Sequence, residues 1–72
     1  MDINKKIGSE LKKEREKAGI SRRSLAKKLN VTDVAIYYWE FGINSISLEW
    51  FIKYCNVIGI DYIKLLKRIL EV

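Results

Sequence analysis

Four turn signals constrain this chain more than anything else in it. Gly19-Ile20-Ser21, Leu29-Asn30-Val31-Thr32, Gly42 followed by Ser47, and Gly59-Ile60-Asp61 share one arrangement. Each sets a residue that tolerates left-handed backbone ahead of a residue whose side chain caps a helix. Cut at these points, the chain falls into five segments, and their apolar residues recur at helical rather than alternating spacing. The first helix is predicted over residues 3–18, with Ile3, Ile7, Leu11 and Ala18 on one stripe and Arg15 falling on the same stripe. In the second, capped by Ser21, Leu25, Ala26 and Leu29 turn inward and Arg22, Arg23, Lys27 and Lys28 outward. The third, about residues 33–41, sets Ile36, Trp39 and Glu40 on one face and Asp33, Val34, Tyr37 and Tyr38 on the other. A fourth helix, capped by Ser47, leaves only Glu49, Lys53 and Asn56 as a polar stripe, so it must be central. The fifth, about residues 61–71 with Asp61 as its cap, carries Tyr62, Ile63, Leu65, Leu66, Ile69 and Leu70.

The chain has 72 residues, no proline and four glycines, which suits one all-α domain over residues 1–72 with no hinge to divide it. A chain this short buries only about 60% of the surface that it exposes when unfolded. One cysteine and no histidine leave little from which to build a disulfide or a metal site, so oligomerisation is the expected supplement to stability. No metal and no cofactor are expected. The start has no signal-peptide pattern and no stretch approaches a membrane span, so a soluble cytoplasmic protein without a membrane partner is expected. Catalysis is not expected either: there is no glycine-rich phosphate loop and no polar cluster around a nucleophile, and Cys55 sits on an apolar helix face.

Charge is distributed unevenly. Residues 1–30 hold ten Lys or Arg against four Asp or Glu, whereas residues 31–72 hold four against five. An acidic partner for the first part follows, nucleic acid before membrane. Arg15 and Glu40 each lie on the otherwise apolar face of a helix, where a lone charge is costly. Paired, they satisfy one another through bidentate hydrogen bonds, and the two are expected to form a mostly buried ion pair locking the first helix to the third.

Two short helices joined by a tight turn, over about residues 21–41, fit the pattern of a helix-turn-helix. Read continuously, Ile7-Gly8 through Arg15, Gly19-Ile20-Ser21, Leu25-Ala26, Leu29-Asn30-Val31-Thr32, Ile36, Trp39-Glu40, Gly42 and Ser47-Leu48-Glu49 resemble the landmarks of the lambda-repressor-like family (Cro/C1, or Xre-like regulators). The resemblance implies a five-helix DNA-binding fold, with the Arg15 and Glu40 pairing already expected. It also implies that the third helix enters the major groove, which nominates Thr32, Asp33, Val34, Tyr37 and Tyr38 for base contacts.

Between Val31 and Ile46 there is no Lys or Arg, so phosphate attraction must come from elsewhere. Arg22 and Arg23, at the amino end of the second helix, and Asn44 and Ser45, after the third, are the candidates, and Arg22 matches the family's phosphate position best. The apolar excess on the last two helices, Trp50, Tyr54, Tyr62, Leu65, Leu66 and Ile69, points to a homodimer. The resemblance implies pairing through these helices to read two half-sites about 34 Å apart. The expected function is a sequence-specific regulator of transcription that binds double-stranded DNA, a repressor on a palindromic operator. The alternative is a protein-interaction module, such as an antitoxin or adaptor, gripping a protein partner by the aromatic outer face of the third helix or the apolar last helix.

Overall fold

The computed structural model describes residues 2–71; Met1 and Val72, the two ends of the expected domain, lie outside the described residues. Five helices follow one another: α1 (Ile3–Lys17), α2 (Arg22–Leu29), α3 (Asp33–Glu40), α4 (Leu48–Ile58) and α5 (Tyr62–Leu70). Among the described residues there is no strand. Every helix starts at a side-chain cap. Ser21, Thr32 and Ser47 each accept a hydrogen bond from the backbone amide three residues on, and Asp2 and Asp61 each accept two. These caps satisfy amides that a helix cannot satisfy itself, which is why the chain is cut where its Ser, Thr and Asp residues stand.

The turn between α2 and α3 rests on Asn30, whose backbone is left-handed (φ 57°, ψ 44°). Asn tolerates this region better than other residues with a side chain. Its amide closes back on the Lys27 carbonyl and that of Val31 on the Ala26 carbonyl, so the turn is tied to the helix that it leaves.

Helix α1 packs against α3, α4 and α5, while α2 packs against α3 and α4, and α4 against α5. The core that they enclose comprises Leu11, Leu25, Ala26, Leu29, Ile36, Phe51, Tyr54, Cys55, Leu65 and Ile69. On α1 the expected stripe is carried by Ile7, Leu11 and Arg15, and its two ends, Ile3 and Ala18, are exposed. Two glycines set how closely α3 approaches α1. A Cβ on buried Gly8 would run into the Trp39 and Glu40 carbonyl oxygens, and one on Gly42, itself at φ +67°, would lie 2.8 Å from the Lys5 backbone. The carboxyl half of α3 therefore rests directly on the backbone of α1.

Three residues assigned to a dimer interface from the sequence are core residues of the chain itself. Tyr54, Leu65 and Ile69 are at most 1% exposed and have no surface to offer a second copy. Much of the apolar surface of α4 and α5 is used within the chain, where α4 packs on α2, α1 and α5, and α5 on α1 and α4: Leu65 and Ile69, one turn apart, face inward together, as do Phe51, Tyr54 and Cys55. Burial, with the Asp61 and Glu14 carboxylates as lesser contributors, pushes the Cys55 thiol up to about 12, so the side chain is a small core hydrophobe. No described helix is long and apolar enough to cross a membrane.

Candidate nucleic-acid interface

Helix α3 is held from its inner side by a polar cluster in the core. Arg15 Nε and Nη2 donate to the two carboxylate oxygens of Glu40 at 2.6 and 3.0 Å, and Nη1 donates to the Ile20 carbonyl at 2.9 Å. The Tyr54 hydroxyl donates to Glu40 Oε2 at 2.5 Å. Arg15 is 7% and Glu40 2% exposed, and among the described residues no buried side-chain polar atom lacks a partner. Hydrogen bonding to Glu40 raises the Arg15 pKa further above its ordinary value, while burial, and next the hydrogen bond to the carboxylate, holds the Tyr54 phenol protonated far above the usual range. The cluster joins α1, α3 and α4 and fixes both the rotation and the depth of α3. Arg15 and Glu40 were nominated from sequence as a pair, but Tyr54 as their partner was not. Its spacing with Phe51, Cys55 and Ile58 on one helical face was the signal available.

With the inner face fixed, the outer face of α3 is left to solvent. Val34 is 51% exposed and Phe41 43%, and Tyr37 and Tyr38 are exposed as well. Thr32 and Asp33 are exposed at the amino end, where the Thr32 hydroxyl accepts from the Ala35 amide at 3.1 Å and Asp33 sits in the first turn. All five residues expected at base edges thus lie on one continuous exposed surface. Arg23 is exposed and Arg22 half-buried at the start of α2, whose amino end presents amides without helical acceptors. Asn44 and Ser45 are exposed in the loop after α3, which is tied back by the Ile43 and Asn44 amides to the Tyr38 carbonyl.

Aromatic rings connect these groups. Tyr37 and Phe41, one helical turn apart, have ring centroids 4.6 Å apart. The Arg22 guanidinium lies 5.1 Å from the Tyr37 centroid, and Lys12 Nζ, from α1, lies 4.9 Å from that of Phe41. A cation over an aromatic face is worth about 0.5–1 kcal/mol at an exposed site, enough to bias where a long side chain rests. The row Arg22, Tyr37, Phe41, Lys12 thus sets a cation from a neighbouring helix at each end of the cation-free face of α3. Lys12 reads from sequence as one of several α1 and α2 lysines that are either solvated or follow a nucleic-acid backbone; its place over Phe41 depends on how α1 and α3 are packed.

A helix-turn-helix family model matches residues 11–65, which span α2, its turn and α3. The chain belongs to the helix-turn-helix family. It is thereby a DNA-binding regulator of transcription. The family's fold recurs in the clp gene regulator ClgR from Corynebacterium glutamicum, with a TM-score of 0.88 and 22% identity in each of two crystal structures. The match covers 96% of this chain and 90% of one ClgR chain and 73% of the other. At that identity the likeness is one of fold. No curated protein sequence matches the chain. For a helix-turn-helix protein the arrangement has a direct use: α3 projects an exposed face, and α2 brings an arginine and free helix-end amides alongside it.

Of the residues proposed from sequence for a dimer, Trp50, Tyr62 and Leu66 remain half-exposed. Trp50 packs its ring against that of Trp39 at 5.6 Å and carries Lys53 Nζ at 4.7 Å on the ring, so it is largely engaged within the chain. Sequence reasoning left Ile63 and Leu70 out of the proposed interface, yet they are 46% and 52% exposed on α5. Their spacing with Leu66, at i, i+3 and i+7, could have picked them out.

Proposed function

We propose that the chain is a sequence-specific repressor that binds double-stranded DNA as a homodimer on a palindromic operator, without an enzymatic activity or cofactor of its own. The observation that carries this is the exposed outer face of α3, held at fixed depth from behind and flanked by Arg22 over Tyr37. Thr32, Asp33, Val34, Tyr37 and Tyr38 face base edges in this reading, and Arg22, Arg23, Asn44 and Ser45 face phosphates. The whole chain acts as one domain in the cytoplasm. Repression follows by occupying a promoter, since no pocket beside this surface is needed for it.

The homodimer rests on α5. Ile63 and Leu70 are exposed, with half-buried Leu66 and Tyr62 beside them, and a second copy meeting this stripe across a two-fold axis would bury what the chain leaves exposed. A second reading, capture of another protein, is favoured by one feature, the exposed rings of Tyr37, Tyr38 and Phe41 together on α3.

Selection from a random duplex library at two salt concentrations tests the proposal. Enrichment of a palindrome with half-sites about one helical turn apart, bound less tightly at the higher salt, is the expected outcome. Enrichment of single, unpaired sites would remove the dimer, and weak binding without enrichment would favour the protein-capture reading.

A further inference from the structure

The outer face of α3 is defined by what it lacks. Paired hydrogen bonds to base edges in the major groove come from Arg or Lys to guanine and from Asn or Gln to adenine. None of these four residue types occurs between Val31 and Phe41. Beside Thr32, Asp33 and the tyrosine hydroxyls, what the face exposes instead is carbon. Val34 is the most exposed large apolar residue of α3, and Tyr37, Tyr38 and Phe41 extend the surface along the helix. Base edges in the major groove offer one apolar group to meet such a surface, the C5-methyl of thymine.

Charge decides what lies against this carbon. Lys12 and Arg22 rest on the Phe41 and Tyr37 rings at the two ends of the row, and neither is in an ion pair with a carboxylate among the described residues. An apolar protein patch docked on the row would leave two cations beside it unneutralised. A major groove, with methyl groups on its floor and phosphates along both walls, complements the carbon and the cations together.

We propose that α3 reads thymine methyl groups, with Val34 as the principal contact and Lys12 and Arg22 on the flanking phosphates. This rests on the DNA-binding reading above and adds to it a chemical class of half-site, one with thymine opposite the first turn of α3. Asp33, beside Val34, is an acceptor, suited to the amino group of cytosine or adenine, and adds no competing guanine contact.

The test takes the best-enriched duplex and replaces each thymine in turn with deoxyuridine, which removes the methyl and leaves the hydrogen-bonding edge intact. At one position or more in each half-site, affinity is expected to fall roughly fourfold, the effect of exposing a single buried carbon group. Val34→Ala, at an exposed position, should keep the melting temperature, bind the thymine duplex more weakly and become nearly indifferent to deoxyuridine at that position. An enriched duplex in which no deoxyuridine weakens binding would overturn the inference and leave sequence-specific binding standing. A deoxyuridine penalty that persists undiminished in Val34→Ala would overturn the assignment to Val34. Failure of any duplex to be enriched would remove both, and the selection alone shows it.

Discussion

The two faces of α3 use the same eight residues for opposite ends. On the inner face, Ile36 is fully buried, and Glu40 receives hydrogen bonds from Arg15 and Tyr54 while Gly8 lets its backbone lie on α1. On the outer face, Val34, Tyr37 and Tyr38 are exposed, and Tyr37 lies against the rings of Tyr38 and Phe41 and under the cation of Arg22. Stability is concentrated on the first face and freedom to bind on the second. For the proposed role of α3 in the major groove this division matters: a helix this short is oriented from behind, which leaves its front available for binding.

Three substitutions sharpen or break this division, and the largest effect belongs to the inner face. Glu40→Ala strands the Arg15 guanidinium in the core and is expected to destabilise the fold by about 3–5 kcal/mol. Thermal or urea unfolding reads it, and a variant as stable as the parent would show that the ion pair is not what holds α3. Tyr54→Phe keeps the ring and removes one hydrogen bond to a charged group, an expected loss of about 1.5–3 kcal/mol by the same measurement. Val34→Ala, on the outer face, should change stability by about 0.5 kcal/mol or less. A larger loss there would mean that the two faces are not separate.

How much of this was legible in the sequence follows from the kind of signal involved. Helix boundaries were legible to within a residue or two because caps and left-handed positions are local: Ser21, Asn30, Thr32, Ser47, Gly59 and Asp61 act on backbone groups a few residues away. The pairing of Arg15 with Glu40 was legible because two charges on two apolar stripes have few other ways to be satisfied. The dimer assignment of Tyr54, Leu65 and Ile69 failed because periodicity gives the width of an apolar face and not the neighbour that covers it. On α4 and α5 much of that width is taken by α2, by α1 and by the two helices' own contact. The placement of Lys12 over Phe41 was not legible, since it joins α1 to the residue that caps α3, and the close approach of the two helices depends on Gly8 and Gly42.

The electrostatics of the two faces differ in the same way. Arg15 and Glu40 neutralise each other out of water, and this pair adds no net charge to the surface. Elsewhere on α1, Lys13 and Lys17 lie by Glu10 and Glu14, and Arg68 reaches the same two carboxylates from α5. The hydrogen bond from Arg68 holds the Glu14 carboxyl below the usual carboxylate range. These largely solvent-exposed pairs contribute little to stability. On the outer side, Arg22 and Lys12 lie over the Tyr37 and Phe41 rings, and Asp33 stands in the first turn of α3.

In the proposed function, the outer face of α3 and the start of α2 meet duplex DNA while the fold is secured elsewhere. Arg22→Ala tests it most directly, with affinity for a selected duplex measured across a series of salt concentrations alongside the melting temperature. Nearly unchanged stability, weaker binding to all duplexes alike, and a salt dependence shallower by about 0.9 log unit per tenfold change in salt, the signature of one lost phosphate contact, are expected. Unchanged affinity with an unchanged salt slope would contradict it.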